Sequence, residues 1–556
     1  MDSTGQKKIS DEKVNNPENF DFLNRLILDW YKLLTLDPTN FLKQLHDQNT
    51  THSQDQVYDP HKLVNEAYVS HANSNADPVL IWFKLCEAVL ENAKNITQQS
   101  LNSANGDSHE GKRREFMNRQ IALLFQPRNF LWSNRQAIEK AIKSNGESIQ
   151  KGFCFLSKDL SSGTFNLSLT KAFVIGENIA RTKGHVVYKN DLIELIQYEP
   201  ATKTVKADPI LIVPPFINKF YILDLQASNS LVQHLVTQGI TVFMISWKNP
   251  TAEDGHLTWD DYITNGVLSS IDTILNIYPR SRLNIGGYCI GGTLAAVTTA
   301  ISTDRIKGKI ASLTMLNTLL DFSDVGEISN FISKEFVTNL DNTIGKSGIF
   351  RGSAMASVFS ALRSKELIWD YVENVYLKGE EPTAFDFLHW NADNTNIPGP
   401  LLSWYLKEMY LNNNLKRENH LKILGRNVNL STISCPCFVV ASRKDHIVPW
   451  HTAYNSARLL NSKCEFILAS GGHVAGIISP HKKITKETHY SRIKDGTLRA
   501  SAEGWLNESS PTPGSWWGLW TKWLKKNSGK NTPRRKSVGN KTFKSLAAAP
   551  GEYVRQ

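Results

Sequence analysis

Gly287-Tyr288-Cys289-Ile290-Gly291 sets a thiol between two glycines, after the apolar run 282–286 and before a stretch of small residues. This is the G-x-S-x-G spacing with cysteine in the serine position. A thiol that attacks a carbonyl needs exposure, a base and a stabilised site for the oxyanion. A sharp strand-to-helix turn supplies the exposure, and glycine on either side lets neighbouring backbone come close. The helix that follows directs its positive end at the sulfur and favours the thiolate.

The base and its orienting acid are sought downstream, in the order nucleophile, acid, histidine. CFVVASRKDHIVP leaves a strand-like run at Arg443-Lys444-Asp445, and CEFILASGGHVAG leaves another at Gly471-Gly472-His473. Both stand where an open α/β sheet builds its site, at strand C-terminal ends. A lone Asp or His in a loop is ordinarily a solvated surface group. The conjunction of strand, loop and chain order singles out Asp445 and His473. His446 directly follows the acid, and adjacent side chains point apart, so it reads as a neighbouring hydrogen-bonding residue. For the oxyanion the expected donors are the amide of Ile290 and one from the loop at 213–219. Pro214 and Pro215 have no N–H to give, which leaves Phe216 or Ile217. The same loop reads equally well as a rigid surface turn.

The elements that must position these residues are legible from periodicity. PILIVPP, TVFMISW, RLNIGGY, ASLTMLN, CFVVAS and CEFILAS are strand-length apolar runs, preceded by a hairpin over 185–198. Helical segments alternate with several of them, so the predicted fold is α/β, a mostly parallel sheet covered on both faces. Residues 1–180 read as a mainly helical N-terminal domain, with 97–112 as a linker. A catalytic domain is expected over 181–528, with a helical lid inserted at about 325–430 and a basic tail over 529–556. In PGSWWGLWTKWLKK, Trp516, Trp520 and Trp523 recur at helical spacing, as the last core helix or as a stripe for an apolar surface.

The chain's 556 residues, 41% of them hydrophobic, exceed one ordinary domain and exclude wholesale disorder. A net charge of +10 would suit an anionic partner, but much of it lies in the C-terminal segment, and no nucleic-acid role is expected. Six scattered cysteines make no disulfide framework, and SCPCF lacks the second cluster that zinc needs. The first residues have no signal-peptide pattern, and no run nears the roughly 18 apolar residues that span a bilayer. A reducing, cytoplasmic setting is expected, which permits a free thiol.

With these residues in hand, the chain resembles the polyhydroxyalkanoate synthases, enzymes of the α/β-hydrolase type that polymerise (R)-3-hydroxyacyl-CoA. The similarity runs from about residue 115 onward. It is carried by PRNFLWSN, VVYKNDLIELIQY, PPFINKFYILDLQ, MISWKNP, GGYCIGG, TLLDFSD, WNADNTNIPGP, DHIVPW, GGHVAG and GSWWGLW. The resemblance implies the triad Cys289, Asp445 and His473, with no metal or organic cofactor. It implies a 3-hydroxyacyl-CoA substrate, a growing polyester chain, contact with the polyester granule, and a homodimer. Trp404 matches a family tryptophan near the dimer contact, although by local packing it is a core aromatic. Ala475 is similar to the short-chain, class I members, for which 3-hydroxybutyryl-CoA is the expected substrate. Two other functions fit the same fold: a thiol-dependent thioesterase, and a scaffold that coats granules. The intact triad disfavours the scaffold.

Overall fold

The structure is a computed structural model and describes residues 90–91, 94–95, 109–162, 172–301, 306, 308–480, 488–493 and 497–556. These fall into two units, one within Met1–Gly163 and Ser357–Glu381, the other within Thr164–Ala356 and Pro382–Gln556. The helical segment expected at 20–34 and, except for residues 90–91, that at 78–93 lie outside the described residues, as does 97–108 of the linker.

In the first unit, helices α1 (His109–Leu124), α2 (Arg135–Lys143) and α3 (Glu147–Ser162) meet the helical turns Lys365–Trp369 and Val372–Leu377. The buried Asp159 accepts from the hydroxyls of Tyr371 at 2.7 Å and Tyr376 at 2.9 Å. Arg128 pairs with Asp370 at 2.8 Å and Glu373 at 3.3 Å. The stretch expected as one lid is therefore divided: Ser357–Glu381 belongs with the N-terminal helices, and its remainder with the sheet. Helical period marks these segments as helices but does not say what their apolar faces meet.

The second unit is built on strands β1 (Gly184–Lys189), β2 (Ile193–Tyr198), β3 (Ile210–Val213), β4 (Val242–Trp247), β5 (Leu283–Tyr288) and β6 (Ile310–Leu316). They are followed by β7 (Cys437–Ser442), β8 (Cys464–Ala469), β9 (His489–Arg492), β10 (Ser510–Pro513) and β11 (Ala547–Ala548). The sheet order is β10-β9-β8-β7-β6-β5-β3-β4-β2-β1-β11. The strands from β8 through to β4 run parallel, and the flanking strands antiparallel. Strands β3, β4, β5 and β7 are buried at every position, as continuous apolar runs require when helices cover both faces. One such helix is α4 (Ile290–Ile301), buried along its whole length behind β5.

Helix α5 (Trp517–Asn527) settles the tryptophan cluster as core. Trp516, Trp517 and Trp520 are buried, and Trp523 packs on Phe438 with ring centroids 5.2 Å apart. Their indoles are also spent internally. Trp516 donates to the Gly476 carbonyl and Trp517 to that of Ile477, both at 2.8 Å, and Trp520 to Thr314 Oγ1 at 3.0 Å.

Residues 529–556, expected as a basic tail, are instead part of this unit. Asn531–Pro533 pairs with Thr204–Lys206, and β11 covers the outer edge of β1. The buried Lys219 ammonium donates to the carbonyl oxygens of Gln556 at 2.7 Å and Tyr553 at 3.3 Å. The buried Glu194 carboxylate accepts from the amides of Glu552 and Tyr553 at 2.8 and 3.0 Å. High charge suggested a solvated segment; a sheet edge and two buried ions in need of partners overrule it.

Candidate active site

Cys289 sits between the end of β5 and the start of α4 with φ 53°, the left-handed strain that the elbow pattern calls for. Its amide donates to Leu316 O at 2.9 Å and its carbonyl accepts from Gly292 N at 2.9 Å, which pins the turn from both sides. The flanking glycines are required sterically. A Cβ on Gly287 would lie 2.4 Å from Gly292 Cα, and one on Gly291 would lie 2.2 Å from Val213 O.

His473 lies in the loop after β8 and Asp445 in the loop after β7. His473 Nδ1 and Asp445 Oδ2 are 2.7 Å apart, both residues are buried, and the Cys289 sulfur is near enough to the imidazole to bear on its charge. Burial opposes charge on the ring, but the Asp445 carboxylate and the Cys289 sulfur outweigh it, and the His473 pKa rises from 6.5 to about 10. Asp445 Oδ1 accepts from the amides of Ile447 and Val448, each at 2.9 Å. Its carboxylate is thus committed to those amides and to His473. His446, the next residue, is half-buried.

The contact of Gly291 with Val213 and Pro214 starts the 214–217 loop beside the elbow. Phe216 is buried, its ring edge-on to Trp247, Trp259 and Tyr262. Thr395 holds the loop by its carbonyls: Oγ1 donates to Phe216 O at 2.6 Å, and the amide to Ile217 O at 3.2 Å. Ile290 opens α4 directly after the thiol and is buried. Trp404 is half-buried, tilted against Trp259 at 5.5 Å, and Ala475 is exposed in the turn after His473. Among the described residues no group of three His, Cys, Asp or Glu side chains could hold a metal ion, and no helix is long and apolar enough to cross a membrane.

Two family models match the chain: the N-terminus of poly-beta-hydroxybutyrate polymerase over residues 77–235, and the alpha/beta hydrolase fold over 208–480. A poly(3-hydroxyalkanoate) polymerase subunit of Cupriavidus necator is 40% identical over 84% of this chain and 79% of its own. A poly(3-hydroxyalkanoate) polymerase of Methylorubrum extorquens is 36% identical over 87% and 80%. This chain belongs to the poly(3-hydroxyalkanoate) polymerases. It is accordingly an enzyme of the acyltransferase type on an α/β-hydrolase fold.

Within this family member, the surroundings of the thiol include residues that spacing did not mark. Tyr405 and Tyr410 lie with ring centroids 5.3 Å apart. Burial foremost, with the Cys289 sulfur among the charges nearby, pushes both phenols upward in pKa. SWYLKEMYLNN reads as a lid helix by period, and nothing in that period says that Tyr405 and Tyr410 pack against each other and Phe322. Tyr288, the second residue of the elbow motif, stacks obliquely on the His473 ring at 5.4 Å.

Proposed function

We propose that this enzyme polymerises (R)-3-hydroxyacyl-CoA, 3-hydroxybutyryl-CoA foremost, through a covalent acyl group on Cys289. The observation that carries this is the linked geometry of thiol, imidazole and carboxylate, with His473 bonded to Asp445 at 2.7 Å and in reach of Cys289. His473 takes the thiol proton as the sulfur attacks the thioester carbonyl. The oxyanion forms at the amide of Ile290 and that of Phe216 or Ile217. Its collapse expels the CoA thiolate, which takes the proton back from His473. One thioester has replaced another, so the acyl group on Cys289 stays activated. The 3-hydroxyl of the next unit then gives its proton to His473, with Asp445 supporting the imidazolium, and attacks the acyl-cysteine. An ester forms, the Cys289 sulfur leaves and is reprotonated, and the exchange of thioester for ester drives growth downhill.

Serine at the elbow would trap the first acyl group as an ester and lose that drive. Water would end the chain as the free acid, and the helices of 325–356 and 382–430, which belong to the sheet unit, are the shield against it. The same proposal holds the enzyme to be a cytoplasmic homodimer at the granule surface, with Trp404 near the dimer contact and Ala475 near the feature that sets acyl length.

The two histidines separate in a CoA-release assay. His473→Ala is expected to slow release by a factor on the order of 10² to 10⁴, the range for a lost general base. His446→Ala is expected to cost far less, and only through local packing. Equal losses in two variants with native circular dichroism would overturn the choice of His473.

A further inference from the structure

Asn317 follows β6, the strand that lies in the sheet between β5, which leads to Cys289, and β7, which leads to Asp445. It is wholly buried and has φ 42°, a left-handed conformation that asparagine tolerates better than most side chains. Its main-chain amide donates to Val440 O at 2.8 Å, on the acid's strand. Its side-chain Nδ2 donates to the His473 carbonyl oxygen at 2.6 Å and to Ser442 Oγ at 3.0 Å. Both hydrogens of the amide are used. The Tyr288 hydroxyl donates to the same His473 carbonyl at 3.2 Å. His473 itself stands in a loop behind Gly471 and Gly472, outside any strand or helix.

We propose that Asn317, with Tyr288 as a second donor, is a positioning residue that fixes His473 by its main-chain carbonyl. Asp445 holds the ring at Nδ1 but leaves the peptide free to shift; the two donors hold the peptide. Together they determine where Nε2 stands relative to Cys289. A side chain with an N–H₂ fork, at a left-handed position between the nucleophile and acid strands, can bind the ends of both β7 and the histidine loop at once. This inference rests on the role of His473 as the proton carrier.

Asn317→Gly keeps the left-handed backbone unstrained and removes the donor. Its kcat for release of CoA from 3-hydroxybutyryl-CoA is expected to fall on the order of 10²-fold, the cost of a misplacement of about 1 Å, with KM nearly unchanged. Asn317→Asp keeps the shape and turns a carboxylate oxygen toward the His473 carbonyl. Its activity relative to the unmodified enzyme is expected to be low at neutral pH and to rise as pH falls and the carboxyl regains a proton to donate. In both variants the downfield proton resonance of the His473–Asp445 hydrogen bond is expected to shift or broaden. A merely space-filling role would leave the kcat of Asn317→Asp, its pH ratio and the resonance unchanged, and that result would overturn the inference even if the glycine variant failed to fold. His473→Ala measured alongside separates the failures. Activity in His473→Ala would sink the role of His473 itself, whereas an inactive His473→Ala beside a fully active Asn317→Asp would sink only the positioning role.

Discussion

Cys289→Ala is expected to abolish CoA release from 3-hydroxybutyryl-CoA while leaving the fold intact. Alanine keeps the Cβ that the turn already accommodates at φ 53°, and it leaves the Leu316 and Gly292 backbone bonds in place. Among the described cysteines of the sheet unit, Cys289 alone follows a strand into the site, and Cys435 stands just before β7. Cys437 and Cys464 are buried at the starts of β7 and β8, at the ends of those strands away from Asp445 and His473. Cys289→Ser tests the chemistry rather than the position. It is expected to bind substrate and turn over very poorly, because a seryl ester no longer carries the activation that ester formation consumes. Release by the alanine variant at even a tenth of the normal rate, about 1.4 kcal/mol in barrier, would show that Cys289 is not the nucleophile.

Truncation after residue 528 is expected to abolish cooperative folding of the sheet unit. The cut removes the acceptors of the buried Lys219 ammonium and two of the donors to the buried Glu194 carboxylate. A buried charge deprived of its partner costs about 3–5 kcal/mol, against a total stability of about 5–15 kcal/mol for a typical protein. It also uncovers the edge of β1, an invitation to aggregation. Thermal unfolding followed by circular dichroism, with the soluble fraction on expression, measures this. A soluble truncated enzyme with an unchanged midpoint would mean that residues 529–556 contribute nothing to the fold.

The contrast between those two segments shows what a sequence makes legible. The strands around the site were visible to within one or two residues, because a strand buried on both faces must be a largely apolar run, as β3, β4, β5 and β7 are. The candidate triad stands out in the sequence because each member follows a strand end in the order that the elbow chemistry needs, and the structure sets His473 beside Asp445 at 2.7 Å. The C-terminal segment was misread because its role depends on partners more than 300 residues away, Lys219 and Glu194, and charge density says nothing about distant acceptors. The lid was over-simplified for a related reason: helical period in 357–381 does not reveal that Tyr371 and Tyr376 meet Asp159. Asn317 and Tyr410 were passed over because an asparagine after a strand and a tyrosine in a helix carry no spacing signal until tertiary contacts assign one. His446 was set aside on the divergence of adjacent side chains, and the two histidine variants are the test of that choice.

The most direct measurement is of what the purified enzyme makes from 3-hydroxybutyryl-CoA, combined with mass analysis of its cysteine peptides after a rapid acid quench. The expected result is insoluble polyester with stoichiometric CoA release and a 3-hydroxybutyryl adduct on the Cys289 peptide alone. Soluble 3-hydroxybutyrate in place of polymer would make the enzyme a thiol hydrolase, and polymer formed with the adduct on another residue would contradict acyl transfer through Cys289.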